Sequence, residues 1–140
     1  MNKMSLVCAI FATVLIPHLL AFEFDDNPNN PIFDGDQDWD NLAVINPTVL
    51  YEDGVYKMWF GGRNVGLSIQ IGYATSTDGI IWNELPFPVL TTGSGVDFDA
   101  QDLKSLDVLH DDTEYKMYYT ATNTSGMPRL GLATSPDGII

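Results

Sequence analysis

A segment of this sequence recurs 59 residues later, and this internal repeat limits the fold more than any other feature. Residues 39–81 align with residues 98–140 without a gap, and 16 of the 43 aligned pairs are identical. The segment YKMWF at 56–60, for example, returns as YKMYY at 115–119. Self-similarity at a fixed period of this length is typical of proteins built from stacked copies of one supersecondary unit. The sequence therefore predicts a repeat architecture.

Each repeat has the pattern of short β-strands joined by turns. In the first repeat, strands are predicted over 48–51, 55–60 and 69–75, and a fourth is predicted to begin at Ile80. The sequence has no long apolar stripe with a period of 3.6 residues, which predicts little helix. Four short antiparallel strands describe one blade of a β-propeller, whereas a two-sheet sandwich explains the strand density but not the repeat. We therefore expect an all-β propeller.

The two repeats are expected to be the first two blades, over about 39–97 and 98–140. The second repeat ends one residue before the counterpart of Trp82, so we expect this blade to be incomplete. Two blades cannot close a ring, and five blades of this length need about 300 residues. We therefore expect the chain to be the N-terminal part of a propeller and to be inactive alone.

Residues 1–21 have the layout of a secretory signal peptide. A short basic start precedes an apolar run over 6–16, and the segment closes on Ala21. The run is too short to span a bilayer comfortably, although an uncleaved anchor is an alternative. We expect cleavage after Ala21, an extracellular or periplasmic protein over 22–140, and no membrane contact afterwards. The single Cys, Cys8, lies in the removed segment, so disulfide and thiol chemistry are excluded for the mature chain.

The net charge of the chain argues against several classes of partner. The formal charge is −13, and the chain has six Lys and Arg residues in total. Nucleic acids and anionic membranes are bound by clustered cationic side chains, so neither is an expected partner. A neutral or cationic partner, Ca²⁺ included, stays open, and simple solubility is the alternative reason for the charge.

The acidic loop DGDQD at 34–38 is the segment that suggests calcium, because its alternate Asp residues offer hard oxygen ligands. An EF-hand is excluded, since Trp39 and Ile45 stand where that loop needs Gly and Glu. A generic calcium site and a solvated acidic turn both stay open, and we assign no metal ligands and expect no other cofactor. A zinc site of His and Cys is excluded because the mature chain keeps one His, His110, and no Cys.

Two segments of the first repeat carry a resemblance to a known superfamily. Residues 46–60, NPTVLYEDGVYKMWF, and 71–82, IGYATSTDGIIW, resemble the five-bladed propeller glycosidases of the arabinanase, levansucrase and invertase type. Residues 30–33, NPIF, are similar to the same superfamily, including its mannoside phosphorylase branch. The resemblance covers nearly all of 28–140, and residues 76–82 also resemble the structural Asp-box turn of sialidases. The resemblance to the propeller glycosidases implies that two carboxyl groups hydrolyse glycosidic bonds in a poly- or oligosaccharide. The reaction is then expected in a channel where loops of all blades converge.

The resemblance also directs attention to Asn46. Arabinanase-like members carry an Asp before Pro as the base, and the matching pair here is Asn46-Pro47. An amide has no basic lone pair at neutral pH, so Asn46 is expected to bind substrate rather than to act as a base. The mannoside phosphorylase branch has Asn-Pro here with phosphate as nucleophile, and Arg63 is a candidate to hold it. A glycosidase, a glycoside phosphorylase, a non-catalytic carbohydrate-binding propeller and a scaffold for protein contacts therefore all stay open.

Three aspartates are the candidate catalytic acids. Asp40 and Asp99 occupy the same place in the two repeats, which favours a structural role over a channel-facing acid. Asp107 is not repeated, because its counterpart is Thr48, and it follows Ser105 by two residues. Side chains alternate along a strand, so residues 105 and 107 are expected on one face, the face of Asn46 in the first repeat. Asp107 is therefore the leading catalytic or pKa-tuning candidate, and the proton donor is expected on other blades.

The remaining candidates have structural alternatives. Trp39 could stack on a sugar ring, but aromatic residues of this kind also pack between blades. His110 is expected to be a polar residue at a strand end. Asp78 and Asp137 are expected to hold backbone N–H groups in turns.

Overall fold

The computed structural model describes residues 24–140, so the signal segment expected over residues 1–21 lies outside the described part. The described residues form two antiparallel sheets and no helix, which confirms the all-β class. Accordingly, this part of the chain has no helix long and apolar enough to cross a membrane. The first sheet has the order β1-β2-β3-β4, with β1 at Ala43–Glu52, β2 at Val55–Arg63, β3 at Gln70–Ser76 and β4 at Asn83–Glu84. The second sheet has the order β5-β6-β7, with β5 at Asp102–His110, β6 at Tyr115–Thr122 and β7 at Pro128–Ser135.

The first strand of each sheet is interrupted by a β-bulge at the same place. The bulge in β1 lies between Ile45 and Thr48, and β5 has its bulge 59 residues later. In both strands the residue that enters the bulge has a positive φ, +51° at Asn46 and +46° at Ser105. β1 is longer than the strand predicted over 48–51. It can extend past Pro47, which has no backbone N–H to donate, because Pro47 lies in the bulge. The bulge breaks the alternation between Leu103 and Leu106, both buried, whereas Ser105 and Asp107 are both exposed, as expected for residues on one face.

The turn after β3 explains why the fourth strand does not begin at Ile80, where it was predicted. The Asp78 carboxylate accepts hydrogen bonds from the backbone N–H groups of Ile80 and Ile81, both at 2.8 Å. These two N–H groups are thereby engaged in the turn and do not pair with β3. The fourth strand begins only at Asn83 and is two residues long.

The hydroxyl of Ser76 fixes the same turn from the end of β3. Its Oγ accepts from the N–H of Gly79 at 2.9 Å, and the side chain is buried. Ser135 makes the same bond in the second repeat, to Gly138 at 2.9 Å, but is more exposed. Because a buried donor left without a partner costs about 1–3 kcal/mol, we expect Ser76→Ala to destabilise the fold by that amount. Ser135→Ala is the matched control with a smaller loss, and equal losses in urea unfolding would contradict the burial argument.

The two sheets pack face to face. The first sheet contributes Trp59, Ile71 and Tyr73, all nearly or fully buried, to the core between them. The second sheet contributes six buried apolar or aromatic residues and one small one: Leu103, Leu106, Val108, Tyr115, Met117, Tyr119 and Ala121. A smaller cluster, with Met58 and Phe60, lies on the opposite face of the first sheet. The stacking places β1 beside β5, so the bulged strands of both sheets share one edge of the structure.

Candidate functional site

The shared edge of the two sheets carries most of the residues proposed from the sequence. We use the name β1–β5 edge for Asn46, Arg63, Asp102, Lys104 and Asp107. Asn46 is exposed in the bulge of β1, and Arg63 is exposed at the end of β2, paired with the first residue of β1. Asp107 is exposed directly after the bulge of β5 and lies across from a residue of β6. The fold thus brings three of the six proposed residues to one edge.

Asp102 is the best-connected side chain of this edge. One carboxylate oxygen accepts from the backbone N–H of Ile69 at 2.9 Å, and the other lies 2.9 Å from the Lys104 ammonium. Burial alone would raise the pKa of Asp102, but the Ile69 N–H, Lys104 and the nearby Arg63 guanidinium together lower it. Asp102 is therefore ionised at neutral pH. It can accept hydrogen bonds from hydroxyl groups but cannot supply a proton.

The sequence arguments missed Asp102 and Lys104, although a signal for both was present. Asp102 is an acid that the first repeat lacks, since its counterpart is Ala43. That is the same argument that selected Asp107. Lys104 likewise has the apolar Ile45 as its counterpart. Two of the six cationic residues of a strongly acidic chain therefore flank one carboxylate on this edge.

Asp40 lies elsewhere, in a buried carboxyl pair with Glu84 of β4. Asp40 is fully buried, and one oxygen accepts from the backbone N–H of Gln37 at 3.0 Å. Burial first, and then the nearby Asp40 carboxylate, raise the pKa of Glu84 to about 8. Within the described residues, Asp40 Oδ2 and both Glu84 carboxyl oxygens are buried without a well-aligned hydrogen-bond partner, and the Asp36 backbone N–H is near enough to lower the pKa of Glu84. A proton shared between the two carboxyls would satisfy both.

The geometry of this pair differs from that of a glycosidase site. Glu84 lines a cleft of about 590 Å³ between residues 31–37 and residues 80–84. β4 is the strand of the first sheet farthest from β1, and none of the residues of the β1–β5 edge lines this cleft. Glycosidase carboxyls stand roughly 5–9.5 Å apart with the substrate between them, whereas Asp40 and Glu84 are buried side by side, close enough for each carboxyl to shift the pKa of the other. The pair ties the segment before β1 to β4.

The two other proposed residues are also packed into the structure. Asp99 is half-buried beside Tyr119, whose pKa is raised by burial and then by the Asp99 carboxylate. Trp39 is buried and stacks on Phe60 with ring centroids 5.8 Å apart. A Cβ atom on Gly72 would lie 2.6 Å from the Trp39 ring, so the indole covers the sheet backbone directly. This position leaves Trp39 in core packing, away from the β1–β5 edge.

A polar network joins the sheets at the opposite end of β1. The Glu52 carboxylate accepts hydrogen bonds from the Lys57 ammonium at 2.8 Å and from the Tyr115 hydroxyl at 2.6 Å. The Nδ1 atom of His110 lies 3.1 Å from the same carboxylate. Lys57 and then Tyr115 lower the pKa of Glu52. His110, at the end of β5, stacks on Tyr115 with centroids 4.1 Å apart. The network therefore links an ion pair of the first sheet to an aromatic pair of the second.

Within residues 24–140, no three His, Cys, Asp or Glu side chains converge as a set that could hold a metal ion. Calcium binding by the acidic loop 34–38 stays a prediction.

Sequence comparison finds one relative with a named activity and others that are uncharacterized. No family model matches the chain. It is 27% identical over 112 residues to a 1,2-beta-oligomannan phosphorylase of Thermoanaerobacter sp. (strain X514), covering 71% of this chain and 36% of that protein. An uncharacterized protein of Mycobacterium tuberculosis (strain ATCC 25618 / H37Rv) is 46% identical over 46 residues, which cover 33% of this chain and 15% of that protein. The chain thus spans well under half the length of either relative.

The solved structures agree with these relatives. A glycosyl hydrolase from Bacteroides ovatus superposes with a TM-score of 0.69 at 22% identity, covering 82% of this chain and 38% of that one. A structure from the GH130 family of mannoside phosphorylases, which contains glycoside hydrolases that target β-1,2 mannosidic linkages, matches with a TM-score of 0.69 at 21% identity and the same coverages. These likenesses confirm, at the level of the fold, the resemblance to five-bladed propeller glycosidases and their mannoside phosphorylase branch.

Proposed function

We propose that the chain is part of a secreted carbohydrate-active protein that acts on a poly- or oligosaccharide at the β1–β5 edge. In this proposal the two sheets are the first two blades of a five-bladed propeller, and β1 and β5 line its channel. The observation that carries the proposal is the meeting of Asp102, Lys104 and Arg63 on that edge, in a fold shared with glycoside hydrolases. Secretion rests on the layout of residues 1–21.

The residues of the edge suit a sugar ligand. The ionised Asp102 accepts bonds from hydroxyl groups, and the Asn46 amide both donates and accepts. Asp107 is an exposed carboxylate on the same strand and is our candidate for the catalytic base. Hydrolysis also needs a carboxylic acid as proton donor, and in this proposal it comes from other blades. The 140-residue chain is then expected to bind carbohydrate without cleaving it.

A glycoside phosphorylase is the second candidate function. A specific observation favours it, because Arg63 and Lys104 bring two cations to one point of a chain with a net charge of −13. Phosphate is bound by such charge-assisted hydrogen bonds. Without any catalysis, the same edge would serve a carbohydrate-binding propeller.

The proposal is tested by titration calorimetry of the purified protein with β-1,2-linked manno-oligosaccharides and, separately, with inorganic phosphate. Arg63→Ala removes an exposed side chain and is expected to weaken oligosaccharide binding about 10- to 100-fold, because a hydrogen bond to a charged group contributes roughly 1.5–3 kcal/mol. Lys116→Ala, a cation away from this edge, is the matched control and should bind as the unaltered protein does. Binding that Arg63→Ala leaves unchanged would exclude the edge as the site, and phosphate binding lost in Arg63→Ala would favour the phosphorylase.

A further inference from the structure

The loop between β6 and β7 carries a motif that the proposed function does not use. Residues 123–125, Asn123-Thr124-Ser125, are the one Asn-X-Ser/Thr triplet of the whole sequence in which X is not Pro. The eukaryotic secretory pathway attaches oligosaccharides to the Asn of such a triplet where it lies in a surface loop. The equivalent residues of the first repeat, 64–66, read NVG and have no hydroxyl at the third position. The triplet is therefore a feature of this loop and not of the repeated strand pattern.

The triplet opens a tight turn at the surface. In the loop 123–127, the backbone N–H of Gly126 donates to the carbonyl oxygen of Asn123 at 2.8 Å. Gly126 has a φ of +72°, and a Cβ atom added to it would meet no other atom within 4 Å. Thr124 and Ser125 are exposed. The turn thus has open space around it, as an attached oligosaccharide requires.

The side chain of Asn123 engages its oxygen and leaves its nitrogen free. Its Oδ1 accepts from the backbone N–H groups of Ser125 at 3.1 Å and of Met127 at 3.2 Å. Because both partners are donors, they fix which end of the amide is the oxygen. Among the described residues, Asn123 Nδ2 has no hydrogen-bond acceptor, whereas Nδ2 of the equivalent Asn64 donates to the backbone oxygen of Asp38 at 2.7 Å. The atom that receives the sugar in N-glycosylation is therefore available in Asn123.

The first repeat shows that a neighbouring sheet does not cover this loop. The second sheet packs on the first and buries Trp59 and Ile71 completely. The loop of the first sheet at 64–68, equivalent to 123–127, nevertheless stays at the surface, with Val65 76% and Leu67 48% exposed. A further sheet packed on β6 and β7 in the same way would cover their face and leave the loop in solvent.

We propose that Asn123 is the acceptor of an N-linked oligosaccharide when the chain passes through a eukaryotic secretory pathway. This inference rests on the secretion included in the proposed function and adds a covalent modification site to it. In the transfer, Nδ2 of Asn123 attacks the anomeric carbon of a lipid diphosphate-linked oligosaccharide. The bond from that carbon to the phosphate oxygen breaks, the C–N bond forms, Nδ2 gives up one proton to the transferase, and the lipid diphosphate leaves.

The test expresses the 140-residue chain, with its own residues 1–21, in secreting animal cells. The protein in the medium should lose mass on treatment with peptide N-glycosidase, and peptide mass spectrometry should then find Asp at position 123. Ser125→Ala should abolish the glycan completely, because the triplet needs the hydroxyl. This variant keeps the loop intact, since Ser125 contributes only its backbone N–H to the hydrogen bond with Asn123. Thr124→Ala, which changes only the unrestricted middle position, is the matched control and should keep the glycan.

A second version, in which a secretion leader of known activity replaces residues 1–21, separates modification from secretion. Protein from either version that reaches the medium without a glycan would overturn the acceptor site and leave the proposed secretion standing. A glycan that persists in Ser125→Ala would overturn it as well. A chain that is glycosylated only with the substitute leader would support the acceptor site and contradict the proposed secretion.

Discussion

Trp59→Ala is expected to lower the free energy of unfolding by about 3–5 kcal/mol, the range for truncating a large aromatic side chain in a core. Trp59 is fully buried between the sheets, with ring centroids 5.1 Å from Tyr73 and 5.7 Å from Tyr115. Its indole N–H donates to the backbone oxygen of Gly138 at 2.8 Å, which ties the first sheet to the turn after β7. The substitution therefore removes both packing and a buried hydrogen bond, and urea unfolding measures the loss.

The repeat supplies the control for this substitution. Tyr118 occupies the equivalent position in the second sheet, where it is exposed. Tyr118→Ala should cost about 1 kcal/mol or less, as surface substitutions do. Similar losses for the two variants would contradict the packing of the two sheets against each other.

The stability of the fold is expected to fall as the pH rises from about 4.5 to about 8, because of the carboxyl pair of Asp40 and Glu84. The pKa of Glu84 is raised from an ordinary 4.5 to about 8 by burial and by the Asp40 carboxylate, with Asp36 adding to the effect. Between these values the folded state binds a proton that the unfolded state has released, so folding weakens with increasing pH. The contribution is complete below about pH 4.5 and is lost above about pH 8. Its size is on the order of a few kcal/mol, since each pKa unit corresponds to about 1.4 kcal/mol.

Glu84→Gln is expected to flatten this pH dependence and to make the protein more stable than the unaltered chain at pH 8 and above. The Gln amide can donate to the Asp40 carboxylate at every pH, so no shared proton is needed. Urea unfolding from pH 5 to pH 9 measures the effect. Glu114→Gln, at a partly exposed glutamate of the second repeat, is the control and should keep the slope of the unaltered protein. A slope that survives in Glu84→Gln would mean that the two carboxyls do not share a proton.

The parts of the fold that local chemistry determines could be predicted from the sequence. The strands at 55–60 and 69–75 follow from dense β-prone residues between turn signals. The first lies within β2, and the second overlaps β3 at all but its first residue, Ile69. The turn role expected for Asp78 and Asp137 agrees with their bonds to the next backbone N–H groups. The same bonds show why the fourth strand begins later than the apolar residues at 80–81 predict, because the turn engages the backbone N–H groups of both residues.

The parts that depend on distant contacts could not be predicted. Asp40 and Glu84 are separated by 44 positions in the sequence, and only the pairing of β3 with β4 brings Glu84 to the segment before β1. The bulges arise from the register between strands, and no single residue type predicts their position. Trp39 is an aromatic residue of the kind that stacks on sugar rings. Only its position over Gly72 shows that it packs in the core instead. Asp102, in contrast, was visible as an unrepeated acid.

The proposal that the β1–β5 edge binds carbohydrate is tested most directly by mapping amide chemical-shift changes in the uniformly ¹⁵N-labelled protein during titration with β-1,2-linked manno-oligosaccharides. We expect the changes to cluster at Asn46, at Arg63 and over residues 102–107, and to saturate with one common affinity. Changes confined to the cleft at residues 31–37, or to the polar network around Tyr115, would contradict the assignment of the site. An unchanged spectrum at high oligosaccharide concentration would contradict carbohydrate binding itself.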